Sequence, residues 1–275
     1  MLIDLQTYFF SNPLLKEQFF IASIQGNKEP LSTLIIPYTF NCSQMKDIFF
    51  CPEESNFYSN CLESFVIRNC QNSESIVEFG SGDGSPVINS LLRNKFDGVI
   101  QGFELNTSAW KVANSTIDEY NLTNKYIIHN SSLFNSSQPD AEYLVANPPY
   151  LPAPDNDIYM PLLFGGVDGA TVTNELLSLD YENVLILISS FSNPINTLNI
   201  AKQNGYYVQN FMVLPLQFGY YSSDPKVKKH IEKLQKNQMA FYSGDYYFLA
   251  GVLFKKSQES VIDLSNQLAQ VMTSL

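Results

Sequence analysis

The chain is short of positive charge. Its 275 residues carry 16 Lys and Arg against 27 Asp and Glu, a net charge of -11 with a pI near 4.6. A summed field of that sign repels a phosphate backbone at long range, and phosphate contacts supply most of the affinity for nucleic acid, so a nucleic-acid partner is disfavoured. The clearest basic patch, Lys226-Val227-Lys228-Lys229-His230, is short and interleaved with Glu232. Histidine is scarcer still: His129 and His230 both read as structural or solvent-exposed side chains rather than catalytic bases. The four cysteines, Cys42, Cys51, Cys61 and Cys70, form no C-x-x-C pair. They lack the paired spacing of a zinc site, and the expectation is free thiols and no metal. No apolar run approaches the ~20 residues that a membrane span needs. The opening MLIDLQTYFFSNPLL, with Asp4, lacks a basic leader followed by an apolar stretch, which argues against a signal or transit peptide and for a cytoplasmic protein.

What is present is the composition of a packed protein, 45% hydrophobic and 13% aromatic. From Ser75 onward, short β-rich apolar runs alternate with amphipathic segments, the pattern of a doubly wound parallel α/β sheet. Seven strands are expected: Ile76 to Phe79, Val99 to Glu104, Tyr126 to His129, Tyr143 to Ala146, Val184 to Ser189, Tyr206 to Leu214 and Tyr246 to Phe254. Helices are expected at Pro86 to Arg93, Ser108 to Tyr120, Thr171 to Leu179, Ile195 to Gln203 and Pro225 to Met239. The last of these lies in an insertion before the final strand, too long for a tight hairpin. Residues 1–70 break the alternation. They read as a small N-terminal helical or hairpin element, helical over Leu2 to Ile24, that could dock a substrate; the main domain follows over 71–256. In the tail, 257–275, Val261, Leu264, Leu268, Val271 and Met272 recur at roughly helical spacing, a stripe that would pack on its own chain in preference to forming a dimer helix.

Two stretches carry chemistry. In IVEFGSGDGSPVINSLL, Gly80, Gly82 and Gly84 follow a strand and precede a helix, where glycines permit a tight turn and close backbone approach to a ligand. A dinucleotide fingerprint would need its third glycine at position 85, which is Ser85. The G-x-G-x-G spacing fits S-adenosylmethionine better than NAD, with Glu78, Ser81 and Asp83 joining the loop's cofactor contacts. About twenty residues on, GFELN ends the second strand on Glu104, followed by Leu105; a carboxylate there can accept from both hydroxyls of a ribose. After the third strand, Asn130, Ser132 and Leu133 are the candidates for the adenine contact.

The second stretch is VANPPYLP. It ends the fourth strand on Asn147-Pro148-Pro149-Tyr150, at the carboxyl edge of the sheet where α/β folds bind ligands. The prolines hold Asn147 extended and fix the direction of the Pro148 carbonyl. The Asn147 side-chain oxygen and that carbonyl can accept the two hydrogens of a planar NH₂ group, and Tyr150 can stack on the flat group bearing it. Such a nitrogen is a poor nucleophile because its lone pair is delocalised. Two acceptors orient it toward a methyl donor, so positioning and electrostatics suffice without a strong base. Asn147, Pro148 and Tyr150 are therefore the expected catalytic residues, Asn147 to Tyr150 the expected substrate contacts, and Asn147 also borders the cofactor.

Together these residues resemble the class I methyltransferases that modify planar NH₂ groups, and more narrowly the HemK-like branch that methylates glutamine side chains of release factors. The narrower likeness rests on NPPYLPAPD followed by LLFGGVDGATVTNELL, with Gly165-Gly166-Val167-Asp168-Gly169 opening a helix, and on CPEESNFYSNCLESF before the glycine loop. It spans about residues 51 to 190. It implies a Rossmann-like seven-stranded fold, S-adenosyl-L-methionine as cofactor, and a protein, peptide or small-molecule methyl acceptor. The family's usual acid near the adenine is Ser132 here.

Overall fold

The computed structural model describes residues 20–21, 48–70, 74–256 and 262–275. Strand β1 is Phe20–Ile21, and helix α1 (Pro52–Leu62) runs into a π-helical turn at Glu63–Ile67. The alternating core then reads β2 (Ser75–Phe79), α2 (Ser85–Arg93), β3 (Val99–Phe103), α3 (Thr107–Glu119), β4 (Tyr126–His129), β5 (Tyr143–Ala146), α4 (Thr171–Leu177), β6 (Asn183–Ser189), α5 (Pro194–Gln203) and β7 (Tyr206–Gln217). Helix α6 (Pro225–Lys236) fills the insertion, and β8 (Tyr246–Lys256) and α7 (Ser265–Met272) complete the chain.

The strands form one sheet in the order β1-β7-β8-β6-β5-β2-β3-β4. Neighbours pair in parallel from β6 through β5, β2 and β3 to β4, while β8 runs antiparallel to both β6 and β7. From β2 the chain winds outward one way through β3 and β4, then returns to build β5 and β6 on the other side. That reversal opens a crevice at the carboxyl ends of β2 and β5.

Burial explains the placing of the strands. β6, NVLILIS, is buried at every position, as a strand covered on both faces must be, whereas β4 alternates buried and exposed residues as an edge strand does. Alternate residues of each strand feed two apolar layers, one holding Ile76, Leu185 and Leu187 and the other Val77, Val184 and Ile186. Helices α1, α2 and α6 contribute to the first layer; α4, α5 and α7 contribute to the second.

All seven expected strands and the five expected core helices are present, with ends shifted by a few residues. The largest shifts are three residues: β7 runs on to Gln217 instead of Leu214, and α6 stops at Lys236 instead of Met239. Gln238 there takes a left-handed φ of 57°, and Met239 N–H closes back on the Leu234 carbonyl at 2.9 Å. The N-terminal helix expected over Leu2 to Ile24 lies largely outside the described residues, as does Cys42. Its described part is a correction: Phe20 and Ile21 are a strand paired with Val213 and Met212 of β7. An apolar run of this kind fits either state, and the unpaired edge of a long strand decided it. Cys51, Cys61 and Cys70 are free thiols, with Cys61 buried. Among the described residues no helix is long and apolar enough to cross a membrane.

In the tail, Leu264, Leu268 and Met272 are buried against this chain's own second apolar layer, next to α5 and β7. Removing the side chain of Leu268, which is 1% exposed, leaves a cavity. Leu268→Ala is expected to cost about 2–5 kcal/mol in denaturant unfolding, with a midpoint independent of protein concentration. A midpoint that moves with concentration would instead mark the stripe as a dimer contact.

Candidate functional site

The parallel register puts the candidate residues in line. Ala146, Phe79, Phe103 and His129 are successive partners across β5, β2, β3 and β4. The next residue on each strand is therefore Asn147, Gly80, Glu104 and Asn130. All four leave the sheet at one edge, within a few strand spacings of one another.

Gly80, Gly82 and Gly84 all have left-handed φ, between 57° and 73°. A Cβ added at Gly80 or Gly82 would meet nothing within 4 Å, so open space faces this backbone, whereas one at Gly84 would press on Ala113, Ile88 and Tyr126 at 3.2–3.3 Å. The first two glycines leave room for a ligand and the third lets α2 and α3 pack. Glu104 ties the loop to the neighbouring strand: Oε2 accepts from Gly82 N at 2.7 Å and Oε1 from Asn106 N at 2.6 Å. Each oxygen retains a lone pair for a hydroxyl, as ribose recognition requires. Asp83 turns inward and accepts from Ser85 N at 3.0 Å.

Beneath the loop, Glu78 is buried and takes hydrogen bonds from the Tyr126 hydroxyl and, at 3.3 Å, from Tyr58. Burial pushes its carboxyl up to about 7, against those bonds. Glu78 thus braces the loop from behind. Ser81 is buried as well, its side chain seated over Gly102, where a Cβ would collide with it.

The residues expected at the adenine divide. Asn130 is committed to the backbone: its amide nitrogen donates to the Glu104 carbonyl at 2.8 Å and its oxygen accepts from the Thr107 hydroxyl at 3.0 Å. Leu133 is fully buried in the second apolar layer with Val77 and Leu144, because the short helical turn Leu133–Asn135 rotates it into the sheet. Its side chain does not line the crevice. Ser132, half-buried, precedes that turn. The exposed apolar groups at this edge are Leu105, 60% exposed, and Phe134, whose ring lies 5.3 Å from that of Phe79. Phe134 was not among the sequence candidates. His129 is exposed against the Phe103 ring, and His230 is buried with Nε2 2.7 Å from the Val167 carbonyl.

Around Asn147 the chain is held from three sides. The Gly165 backbone presses on Pro149 and Tyr150: a Cβ there would lie 2.6 Å from Tyr150 Cα and 2.7 Å from the Pro149 carbonyl. Ser192 Oγ donates to the Tyr150 carbonyl at 2.7 Å, and Asp168 anchors the glycine element by accepting from Ala170 N and from Asn193 Nδ2. The insertion clamps the following loop, since Asp224 accepts from Tyr159 N at 2.8 Å and Lys226 pairs with Asp155 at 2.7 Å. The Tyr150 ring sits 5.7 Å from Phe191, which continues into Phe218 and Tyr247.

Two acceptors here lack a described partner. Asn147 Oδ1 is buried and has no hydrogen-bond partner, and no described group donates to the Pro148 carbonyl. A buried acceptor left unpaired costs roughly 1–3 kcal/mol, so its retention points to a ligand donor.

Beside the Asn147 side chain lies Glu54 of α1, a residue the sequence reading passed over. Glu54 is 2% exposed, and burial pushes its carboxyl up to about 8, opposed by the Asn147 amide. The signal was available: positions 54, 57, 58, 61, 62 and 65 lie on one helical stripe, and all but Glu54 are apolar. The acid in that stripe had to be buried.

No family model matches the chain, and no curated protein matches it. Among solved structures, a candidate RNA methyltransferase from Pyrococcus horikoshii aligns with a TM-score of 0.52 at 9% identity, over 81% of this chain and 93% of that one. The fold is the Rossmann-like methyltransferase fold. M. capricolum TrmK, solved with S-adenosyl-homocysteine, aligns at TM-score 0.45 and 13% identity over 80% of this chain and 75% of that chain. A geranyl diphosphate methyltransferase aligns at 0.47 and 10% over 74% and 85%.

Two outcomes follow from this geometry. Glu54 and Glu78 both have folded-state pKa values raised above the ordinary carboxyl range. The folded protein therefore holds protons that the unfolded chain has released, and stability falls as pH rises from about 4.5 through the raised values, with a slope approaching about 1.4 kcal/mol per pH unit for each group. Urea unfolding between pH 5 and 9 measures this, and Glu54→Gln should flatten the upper part of the decline. Gly165→Ala forces the Pro149–Tyr150 backbone to move; it is expected to abolish most ligand response at Asn147 while far-ultraviolet circular dichroism stays native.

Proposed function

We propose that this protein is an S-adenosyl-L-methionine-dependent N-methyltransferase whose acceptor is a planar side-chain amide, a glutamine of a protein or peptide. The observation that carries the reading is the pair of unpaired acceptors, Asn147 Oδ1 and the Pro148 carbonyl, at the first and second residues beyond the register row that also delivers Gly80 and Glu104.

The residues present fit the cofactor. The backbone of Gly80 and Gly82 faces open space suited to the methionine end, Glu104 offers lone pairs to the ribose, and Leu105 and Phe134 offer apolar contact to the purine. When bound, the cofactor supplies a methyl group on a sulfonium sulfur. Asn147 Oδ1 and the Pro148 carbonyl then hold the two hydrogens of the acceptor NH₂ and turn its lone pair toward that methyl. The cofactor would supply that methyl as an electrophile, its sulfur leaving as a neutral thioether. The nitrogen would release one of its two hydrogens as a proton to solvent once the product leaves the site, the oxygen that held it stabilising the positive charge until then. Tyr150, Phe191 and the clamped loop keep the acceptor plane in position and exclude water.

A second reading, a small planar metabolite as acceptor, is supported by the insertion. Its aromatic side chains Phe218 and Tyr242 join Tyr247 and Phe191 beside Tyr150. RNA, the substrate class named for the P. horikoshii protein, is disfavoured here, because a chain of net charge -11 is poorly made for phosphate contacts.

Labelled cofactor incubated with a fractionated cell extract, with mass mapping of the methylated atom, tests the reading and separates the acceptor classes. Asn147→Ala is expected to cut transfer by about 10²–10³-fold while cofactor affinity stays nearly unchanged. Glu104→Ala is expected to weaken cofactor binding by about 10–100-fold in calorimetry. Full transfer by the Asn147 variant would sink the mechanism.

A further inference from the structure

We infer that Asn193 is a positioning residue for the acceptor: its side chain ties the Gly165–Gly169 element to the end of β6, and through both it holds Tyr150 in place. The consequence for methyl transfer rests on the methyltransferase reading; the tie itself rests on geometry alone.

β6 carries the apolar run Val184 to Ile188, yet the five residues that follow, Ser189-Ser190-Phe191-Ser192-Asn193, are all buried, and four of them are polar. Buried polar side chains are costly unless paired. Here three of them reach three different segments. Ser190 Oγ donates to the Phe241 carbonyl at 2.6 Å, where the insertion rejoins the sheet. Ser192 Oγ donates to the Tyr150 carbonyl at 2.7 Å. Asn193 makes two bonds: its backbone N–H donates to the Met239 carbonyl at 2.9 Å, and Nδ2 donates to Asp168 Oδ2 at 2.7 Å. Asp168 Oδ1 accepts from Ala170 N at 3.0 Å, and His230 Nε2 of α6 lies 2.7 Å from the neighbouring Val167 carbonyl.

The backbone at Asn193 accounts for the residue type. Its φ of 50° and ψ of 52° are left-handed, a conformation that glycine enters freely and most other residues enter at a cost. Asparagine tolerates it and also supplies a side-chain N–H. A carboxylate can only accept, so that N–H is the end of the amide that faces Asp168. Strained backbone persists where its surroundings over-determine it, and such positions cluster at working sites. The route from there to the acceptor is short. A Cβ on Gly169, the residue after Asp168, would lie 2.5 Å from the Tyr150 carbonyl and 2.8 Å from Ser192 Cβ. Tyr150 is thus held by Ser192 and by the glycine element, and the bond from Asn193 to Asp168 joins these two supports. The cofactor side has its own tie, from Gly82 N to Glu104 Oε2.

Amide hydrogen exchange of the full-length protein, read by peptide mass without cofactor or acceptor, tests the tie. Asn193→Gly keeps the left-handed backbone and removes the side-chain bond. Residues 147–171 are expected to exchange about tenfold faster in it, with residues 75–104 unchanged. Asn193→Asp sets two carboxylates against each other and should accelerate the same residues. Combining it with Asp168→Asn restores one donor and one acceptor, and should return exchange to near the wild-type rate. Wild-type exchange in Asn193→Gly would overturn the inference, as would acceleration spread equally over 75–104. A combined variant no slower than Asn193→Asp alone would also overturn it, even if Asn193→Gly fails to fold. In transfer assays with a glutamine-containing peptide as acceptor, kcat/KM of Asn193→Gly should fall about 10–100-fold at unchanged cofactor affinity, and the combined variant should recover it relative to Asn193→Asp. A wild-type protein that transfers nothing to any acceptor would count against the methyltransferase reading, whereas hydrogen exchange judges Asn193 separately.

Discussion

One register row organises the molecule. Because Phe79 pairs with both Phe103 and Ala146, and Phe103 with His129, four strands end level with one another. A slip of one residue at β5 would send Asn147 into the opposite face of the sheet, since strand side chains alternate. The slip is prevented by burial: Leu144 and Val145 belong to opposite apolar layers, and exchanging them would disrupt both. The glycine loop, Glu104 and Asn147 owe their proximity to that constraint.

Level strand ends are necessary and insufficient, because loops must also hold their direction. Here the holding is done mainly by backbone. Gly165 and Gly169 lie so close to Pro149 and Tyr150 that a side chain on either would meet main-chain atoms. Ser192, Asp168 and the Asp224 and Lys226 side chains of the insertion add polar ties. The insertion that interrupts the last two strands is thus part of the wall around the site, tied to the loop that follows Tyr150. Against this rigid frame stand several groups that lower stability: the unpaired Asn147 oxygen and the buried carboxyls Glu54 and Glu78. Such groups concentrate at sites where function needs them.

Much of this was legible from residue order alone. The seven strands and five core helices followed from periodicity and breaker residues, and Gly80, Gly82, Gly84, Glu104 and Asn147 follow strands at positions where parallel sheets expose their ends. Less was legible for side chains whose role depends on partners far along the chain. Asn130, expected at the adenine, stays exposed at that edge, and residue order did not show that its amide also braces the backbone after β3. Nor did it show that the Leu133 side chain, expected in the same place, is buried in the core. Phe20–Ile21 looked helical and became an edge strand, because the open side of β7 offered hydrogen-bond partners that local periodicity does not encode.

The residue order by itself determined the class of architecture, the place of the glycine loop, and the stiff strand end at Asn147. Those are local properties, set by backbone freedom at glycine and proline and by the spacing of apolar side chains. Only the tertiary structure decided which side chains meet at Asn147. Glu54, ninety-three positions earlier in the sequence, is buried beside it because α1 packs across the sheet, a neighbour that no local pattern encodes.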